Sequence, residues 1–224
     1  RLNKTPIAVL TGIKFDLDEK GLTLTGSDTD LSISTFIPTE NNSKQNITVF
    51  TTGSCVLNAR FISEIVKKIE SDRIEIELVD STLVKITDQK SNFSLNSINV
   101  ADFPFIDFNF DNNTVVMKGD LLKQVVAQTI FATSIKETRP ILTGINFKID
   151  GNILEAVATD TYRLAKKRVT LGDSAYVNVT IPNKRLNEIS KIMSGNEEVT
   201  IDFLEKKVLF KIDKLMYFAP LSSP

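Results

Sequence analysis

The chain has 224 residues, 42% apolar and 25% charged, with a formal net charge of −1, a single cysteine and no histidine. This is the composition of a globular protein of one or two domains. The missing imidazole excludes Ser-His-Asp and Cys-His nucleophiles, His-bearing metal sites and imidazole acid–base chemistry built from this chain alone. No apolar run of about 18 residues is present, so no membrane-spanning helix is expected. One cysteine, Cys55, leaves no internal disulfide and fits a reducing cytoplasm. Neither a GxxxxGK[ST] loop nor a GxGxxG motif occurs, and no convergent carboxylate cluster stands out, so nothing in the motifs points to an enzyme.

In chain order, LTGIKF from Leu10 leads into GLTLTGSD and LSISTFIP, which alternate with period 2 on either side of turn residues such as Glu19-Lys20-Gly21. Connections this short predict antiparallel hairpins. Asp28 reads as a turn acceptor rather than an acid, and Cys55, on an alternating stretch, as buried and inert. Ala59 to Glu70 has helical period: Phe61, Ile62, Ile65, Val66 and Ile69 form one stripe, with Arg60, Ser63, Glu64, Lys67 and Lys68 opposite. RIEIELVD, TLVKITD and SNFSLNS are further strands. A polar cluster, Phe110-Asp111-Asn112-Asn113-Thr114, then marks a boundary, dividing the chain into 1–112 and 113–224.

The second half opens with a helix from Gly119 to about Thr133, with Asp120 as N-cap or first-turn acid. LTGINF from Leu142 follows, then a turn at Asp150-Gly151-Asn152, and YVNVTIP. A third helix, Asn183 to Ser194, turns Leu186, Ile189, Ile192 and Met193 inward and Lys184, Asn187, Glu188 and Lys191 outward. VTIDFLE and KVLFKID close the pattern.

The two halves say the same thing. Gly12, Ile13, Phe15, Asp28 and Thr29 recur 132 positions later as Gly144, Ile145, Phe147, Asp160 and Thr161. Arg60, Glu64, Ile65 and Lys67 recur 124 positions later as Lys184, Glu188, Ile189 and Lys191, so the second copy is about eight residues shorter in a loop. A period above 100 residues is a duplicated domain, not a solenoid repeat. The expected fold is α+β, tandem domains of antiparallel strands with few helices. By analogy with the segment leading into the second copy, a helix is expected before the first.

TSIKETRPILTGINF (Thr133 to Phe147) and VATDTYRLAKKRV (Val157 to Val169) resemble the second domain of the bacterial sliding clamp, the beta subunit of DNA polymerase III. In that family a TSxxExRPxLTGV strand is followed by VATDSHRL. KTPIAVLTGIKF and LTLTGSDTDLSI resemble its first domain. Departures are Ala8 where the family usually has Pro, Tyr162 where it usually has His, and the ending MYFAPLSSP in place of RLLxGxYPD.

The resemblance implies the DNA-clamp architecture: sheets outside, helices lining the inner face, three domains per subunit and two subunits closing a ring, with the third domain absent from this chain. It implies a non-catalytic, cofactor-free processivity factor in the cytoplasm, associated with the nucleoid and not with membrane. Its partners would be duplex DNA, the DNA polymerase III catalytic subunit, the clamp loader, other proteins bearing a clamp-binding motif, and a second copy in the full-length homodimer. DNA contact would fall to Lys4, Arg60, Lys67, Lys68, Lys123, Lys136, Arg139, Lys184 and Lys191. A hydrophobic groove for a short partner peptide would be formed by Leu142, Thr159, Thr161, Tyr162, Arg163 and Leu164. From the residues alone, the helix cations read as a solvated face with Glu64–Lys68 pairing, and Leu164 as a core residue at a strand end. The alternatives are a carboxylate-dependent enzyme on a duplicated β-rich scaffold and a PCNA-like two-domain protomer that closes as a trimer.

Overall fold

The computed structural model describes residues 8–28, 30–110 and 113–222. The chain forms two compact units, Arg1–Ile106 and Asp107–Pro224. Lys4, Thr29, Asp111 and Asn112 lie outside the described residues. Residues 107–110 go with the second unit: the Phe108 ring meets Phe218 edge-on at 6.2 Å, and Lys211 Nζ stands 6.0 Å from the Phe110 ring.

In the first unit a 3-10 turn, Ala8–Thr11, enters β1 (Gly12–Leu17). It is followed by β2 (Gly21–Ser27), β3 (Ser32–Pro38), the two-residue strands β4 (Glu40–Asn41) and β5 (Lys44–Gln45), and β6 (Gly53–Asn58). Helix α1 (Ala59–Lys68) leads to β7 (Glu75–Leu78), β8 (Leu83–Thr87) and β9 (Asn92–Asn96). The neighbours run β3-β2-β1-β6, all antiparallel, and β7-β8-β9 make a separate antiparallel sheet. The β4–β5 hairpin sits between β3 and β6, where the first repeat is the longer one.

Asn58 starts α1 by accepting the amides of Arg60 and Phe61 on its side chain, and Ile69, back in the extended region, stops it at Lys68, two residues short of the predicted Glu70. The buried stripe is narrower than expected. Ile62 and Ile65 pack with Cys55, Leu57, Val84 and Ile86, and Ile69 packs against them. Phe61 and Val66, on the flanks of that stripe, are about half exposed. Each fully buried Ile contributes roughly 1.5–3 kcal/mol.

The second unit comprises β10 (Thr114–Lys118), α2 (Gly119–Ala127), β11 (Gly144–Thr159), β12 (Leu164–Pro182), α3 (Asn183–Ile192), β13 (Glu198–Phe203), β14 (Lys207–Ile212) and β15 (Leu215–Pro220). Strands β10, β13, β14 and β15 are neighbours in that order, and β11 pairs with β12. α2 ends earlier than predicted. The buried Thr129 hydroxyl turns back to the Val125 carbonyl, and the chain tightens into 3-10 turns at Ile130–Ala132 and Pro140–Thr143. Asp120 lies in the first turn of α2 and is not its N-cap, which is Lys118. α3 stops at Ile192, so Met193 is buried as the residue after the helix while Ile192 is exposed.

What the first unit builds as β1 and β2 is, in the second, the continuous extended run of β11. Its register on β12 changes between Gly151 and Ile153, at the predicted turn residues, where Gly151 takes φ +62°. Burial changes phase there, from Ile145, Phe147 and Ile149 to Leu154, Ala156 and Ala158. The repeated glycines have one cause in both copies. A Cβ on Gly12 would stand 2.5 Å from Val56 Cγ1, and one on Gly144 would stand 2.5 Å from Thr180 Cγ2 and 2.7 Å from the Ile181 carbonyl.

Candidate functional site

Two kinds of surface emerge, exposed cations on helices and a polar-stapled loop in the second unit. On α1, Arg60 stands in the first turn and Lys67 and Lys68 in the last, all exposed. Arg60 pairs with Glu64 at 3.2 Å, one turn on, in place of the expected Glu64–Lys68 pair. An ion pair this open is worth little and leaves the guanidinium available to a stronger anion.

On α3, Lys184 and Lys191 are exposed and make no ion pair among the described residues. The third cation turns inward. Arg185, 13% exposed, pairs with Glu188 at 3.1 Å, and the same carboxylate oxygen accepts the buried Tyr217 hydroxyl at 2.8 Å. Partial burial pushes the Glu188 carboxyl up, but the Tyr217 and Arg185 hydrogen bonds outweigh it and hold the group below the ordinary range. This network fastens the helix to β15.

Lys123, expected among the DNA-contacting cations, also makes a contact within the unit. Its ammonium, partly buried, donates to the Met193 carbonyl at 3.2 Å, at the C-terminal end of α3. Positive charge there complements the helix dipole, so Lys123 ties α2 to α3 instead of standing free toward solvent. Lys136 and Arg139 are exposed in the segment before the Pro140–Thr143 turn, with the Lys136 amide on Ser134 Oγ at 3.0 Å. Lys4 falls outside the described residues.

The loop between β11 and β12 is Asp160 to Arg163. Asp160 Oδ1 accepts the amides of Tyr162 and Arg163, both at 3.0 Å, and Oδ2 accepts Arg163 Nε at 3.0 Å. The Arg163 amide, then the Tyr162 amide and the guanidinium, hold this carboxyl below the usual range. Thr159 adds a second staple: its hydroxyl donates to the Arg163 carbonyl at 2.8 Å and accepts the Thr161 amide at 3.2 Å. Thr161 is left in the left-handed region at φ +77°. This backbone path turns Tyr162 and Leu164 outward, 96% and 65% exposed, so Leu164 is not a core residue. Leu142 is half-buried in the 3-10 turn that lies against β11 and β12, and its carbonyl accepts the Ser134 amide.

Arg163 reads from the sequence as a partner-binding residue, and its Nε pairs with Asp160 while 58% of its side chain stays in solvent. An acid three residues before an arginine in a turn carries that signal. Asp28 does the same turn work in the first unit, accepting the amides of Asp30 and Leu31 at 2.7 and 2.6 Å. Cys55 is buried, and burial pushes its thiol up to about 11. Among the described residues no group of His, Cys, Asp and Glu could hold a metal ion, and no helix is long and apolar enough to cross a membrane.

Residues 2–107 match the family described as the DNA polymerase III beta subunit, N-terminal domain, and residues 116–221 match its central domain. The beta sliding clamp of Halalkalibacterium halodurans is 42% identical over 224 residues, covering 98% of this chain and 59% of that protein. The Bacillus subtilis beta sliding clamp is 42% identical over 223 residues, with the same coverage. The crystal structure of the DNA polymerase sliding clamp from Bacillus subtilis matches with a TM-score of 0.93 at 40% identity, over 99% of this chain and 59% of that one. The beta subunit from DNA polymerase of Streptococcus pyogenes matches at 0.90 and 29% identity, over 99% and 59%. The chain thus spans about 59% of the length of these relatives. Its two halves match successive domains of one subunit and share that subunit's α+β fold, so the chain belongs to the bacterial beta sliding clamp family, the beta subunits of DNA polymerase III.

Proposed function

We propose that this chain forms the first two domains of a DNA sliding clamp, a non-catalytic ring that encircles duplex DNA and holds the replicative polymerase on its template. The observation that carries the reading is the repeated cationic helix: Arg60 and Lys67 on α1, and Lys184 and Lys191 on α3, all exposed at equivalent positions. Sliding needs phosphate contacts that hold without fixing register, and flexible Lys and Arg side chains supply these. Lys68, Lys136 and Arg139 add to the same field, and Lys4 is assigned with them by its repeat relation to Lys136. A tether of this kind raises the effective concentration of polymerase at the template without chemistry of its own. Nothing favours the enzyme reading, since the two repeated aspartates are engaged by backbone amides.

Ring closure in the full-length protein, as a homodimer with a third domain in each subunit, is supported by the edge strand β7. Its neighbourhood exposes Ile74, Ile76, Leu78 and Val79, and an unpaired apolar edge is suited to pairing with another chain. Leu164, Tyr162 and Leu142, with Thr159 and Thr161 shaping the loop, form the docking site for an extended peptide of the polymerase catalytic subunit, the clamp loader or another protein with a clamp-binding motif. The clamp works in the cytoplasm, on the nucleoid.

The test is retention of the complete protein on DNA. Loaded on a nicked circle, it stays through gel filtration and is lost when the circle is cut to a linear duplex. Equal loss from both forms would overturn topological encirclement.

A further inference from the structure

The exposed Leu164 does not stand alone. On β12 it begins a row of alternate residues, Leu164, Lys166 and Arg168, all outward and exposed, spaced by the two-residue repeat of a strand. Across the ladder the register sets Thr159 opposite Leu164, Val157 opposite Lys166 and Glu155 opposite Arg168. The face is therefore apolar at the loop end and basic beyond it. Glu155 is the one carboxylate in this stretch: Lys166 Nζ lies 2.9 Å from its Oε2 and Arg168 Nε 3.8 Å from its Oε1, while Lys148 also acts on it electrostatically. Three cations thus surround one acid. Lys166 and Arg168 keep 49% and 65% of their side-chain surface in solvent, so their pairing with Glu155 is weak and exchangeable.

We propose that the partner segment docking at Leu164 is an extended peptide with acidic residues beside its apolar anchor, and that these residues run along β12 onto Lys166 and Arg168. The inference rests on the docking role of Leu164 given above. An extended peptide side by side with β12 has the same two-residue spacing, so one apolar residue on Leu164 places its next same-face residues at Lys166 and Arg168. Glu155 already occupies the position such a carboxylate would take, and its competition sets a threshold that neutral peptides do not gain from crossing. Duplex DNA fits this face less well, because the central carboxylate would stand against the phosphates.

The probes are synthetic ten-residue peptides with a Leu-Leu-Phe anchor and a flank of three Asp, on either side of the anchor, and the same peptides with three Asn. They are titrated calorimetrically into the complete protein at low salt. The better Asp peptide binds at least tenfold tighter than its Asn counterpart. That advantage disappears in the Lys166→Gln/Arg168→Gln variant, whose affinity for the Asn peptide is unchanged, and it grows in Glu155→Gln, where the internal competitor is gone. Equal binding of Asp and Asn peptides, both sensitive to Leu164→Asp, overturns the acidic-flank inference and leaves the docking site standing. Failure of every peptide to bind overturns the docking site and this inference with it. A Lys166→Gln/Arg168→Gln variant that loses duplex DNA affinity but keeps the Asp-peptide advantage assigns the row to phosphate instead.

Discussion

Replacing Leu164 with Ala tests the docking surface with a magnitude set by its exposure. Fully burying a leucine side chain is worth roughly 1.5–3 kcal/mol. Leu164 is 65% exposed, so about two-thirds of that gain, about 1–2 kcal/mol, is still available to a partner. The expected loss in peptide affinity on truncation is therefore about 5- to 30-fold. The remaining third already serves the fold, so the same change costs only about 0.5–1 kcal/mol of stability. Leu164→Asp goes further, because a docked apolar anchor would then cover an unpaired charge, and binding should become undetectable. The assay is calorimetry with a polymerase-derived peptide against the full-length protein, with urea melts of each variant as the control for folding. Tyr162→Ala belongs in the same series, since a 96% exposed ring buries almost nothing in the fold and its removal should leave the urea melt unchanged. Unchanged affinity in a folded Leu164→Asp variant would refute the reasoning and leave the partner surface elsewhere.

Reversing Arg60, Lys67, Lys184 and Lys191 to Glu in the complete protein should weaken DNA binding and lower the slope of log K against log salt by about one for each phosphate no longer neutralised. Reversal of the exposed Lys44 on β5 should do neither, and an equal effect there would remove the helix faces from the account. Gly144→Ala forces a methyl to 2.5 Å from Thr180 Cγ2 and should cost about 1–3 kcal/mol in urea titrations. Gly26→Ala, with nothing within 4 Å, should be neutral or gain up to about 1 kcal/mol. Asp160 and Glu188 both titrate lower in the folded chain than unfolded, so the unfolded chain takes up protons first as pH falls. Their stabilisation is full above the ordinary carboxylate values near 4 and is lost as pH drops below them, and Asp160→Asn with Glu188→Gln should flatten that acid limb of a stability-versus-pH curve. With its thiol buried and pushed up to about 11, Cys55 should resist thiol reagents at pH 8 until the protein unfolds, and fast labelling of the native chain would contradict that packing.

Local rules make much of this protein legible in its sequence. Period-2 alternation locates β2, β3, β8, β9, β13 and β14, because one face of each packs inward, and it locates β7 as well, although all four residues of that strand are exposed. The Asp160 turn is readable because an Asx acceptor acts on amides only two and three residues ahead. The duplication is readable because both copies meet the same steric demand, a strand start at Gly12 or Gly144 pressed against its antiparallel neighbour. What the sequence could not decide depends on distant neighbours. Whether Phe61 and Val66 join the core of α1 is set by the width of the sheet face offered to it, and that face reaches only Ile62, Ile65 and Ile69. Lys123 reads as one more helix cation until the end of α3 is seen beside it. The basic row at Lys166 and Arg168 gains its central carboxylate only through the register that brings Glu155 opposite Arg168, thirteen residues away in the chain. Pairing register is a property of two strands together, and composition along either one does not contain it.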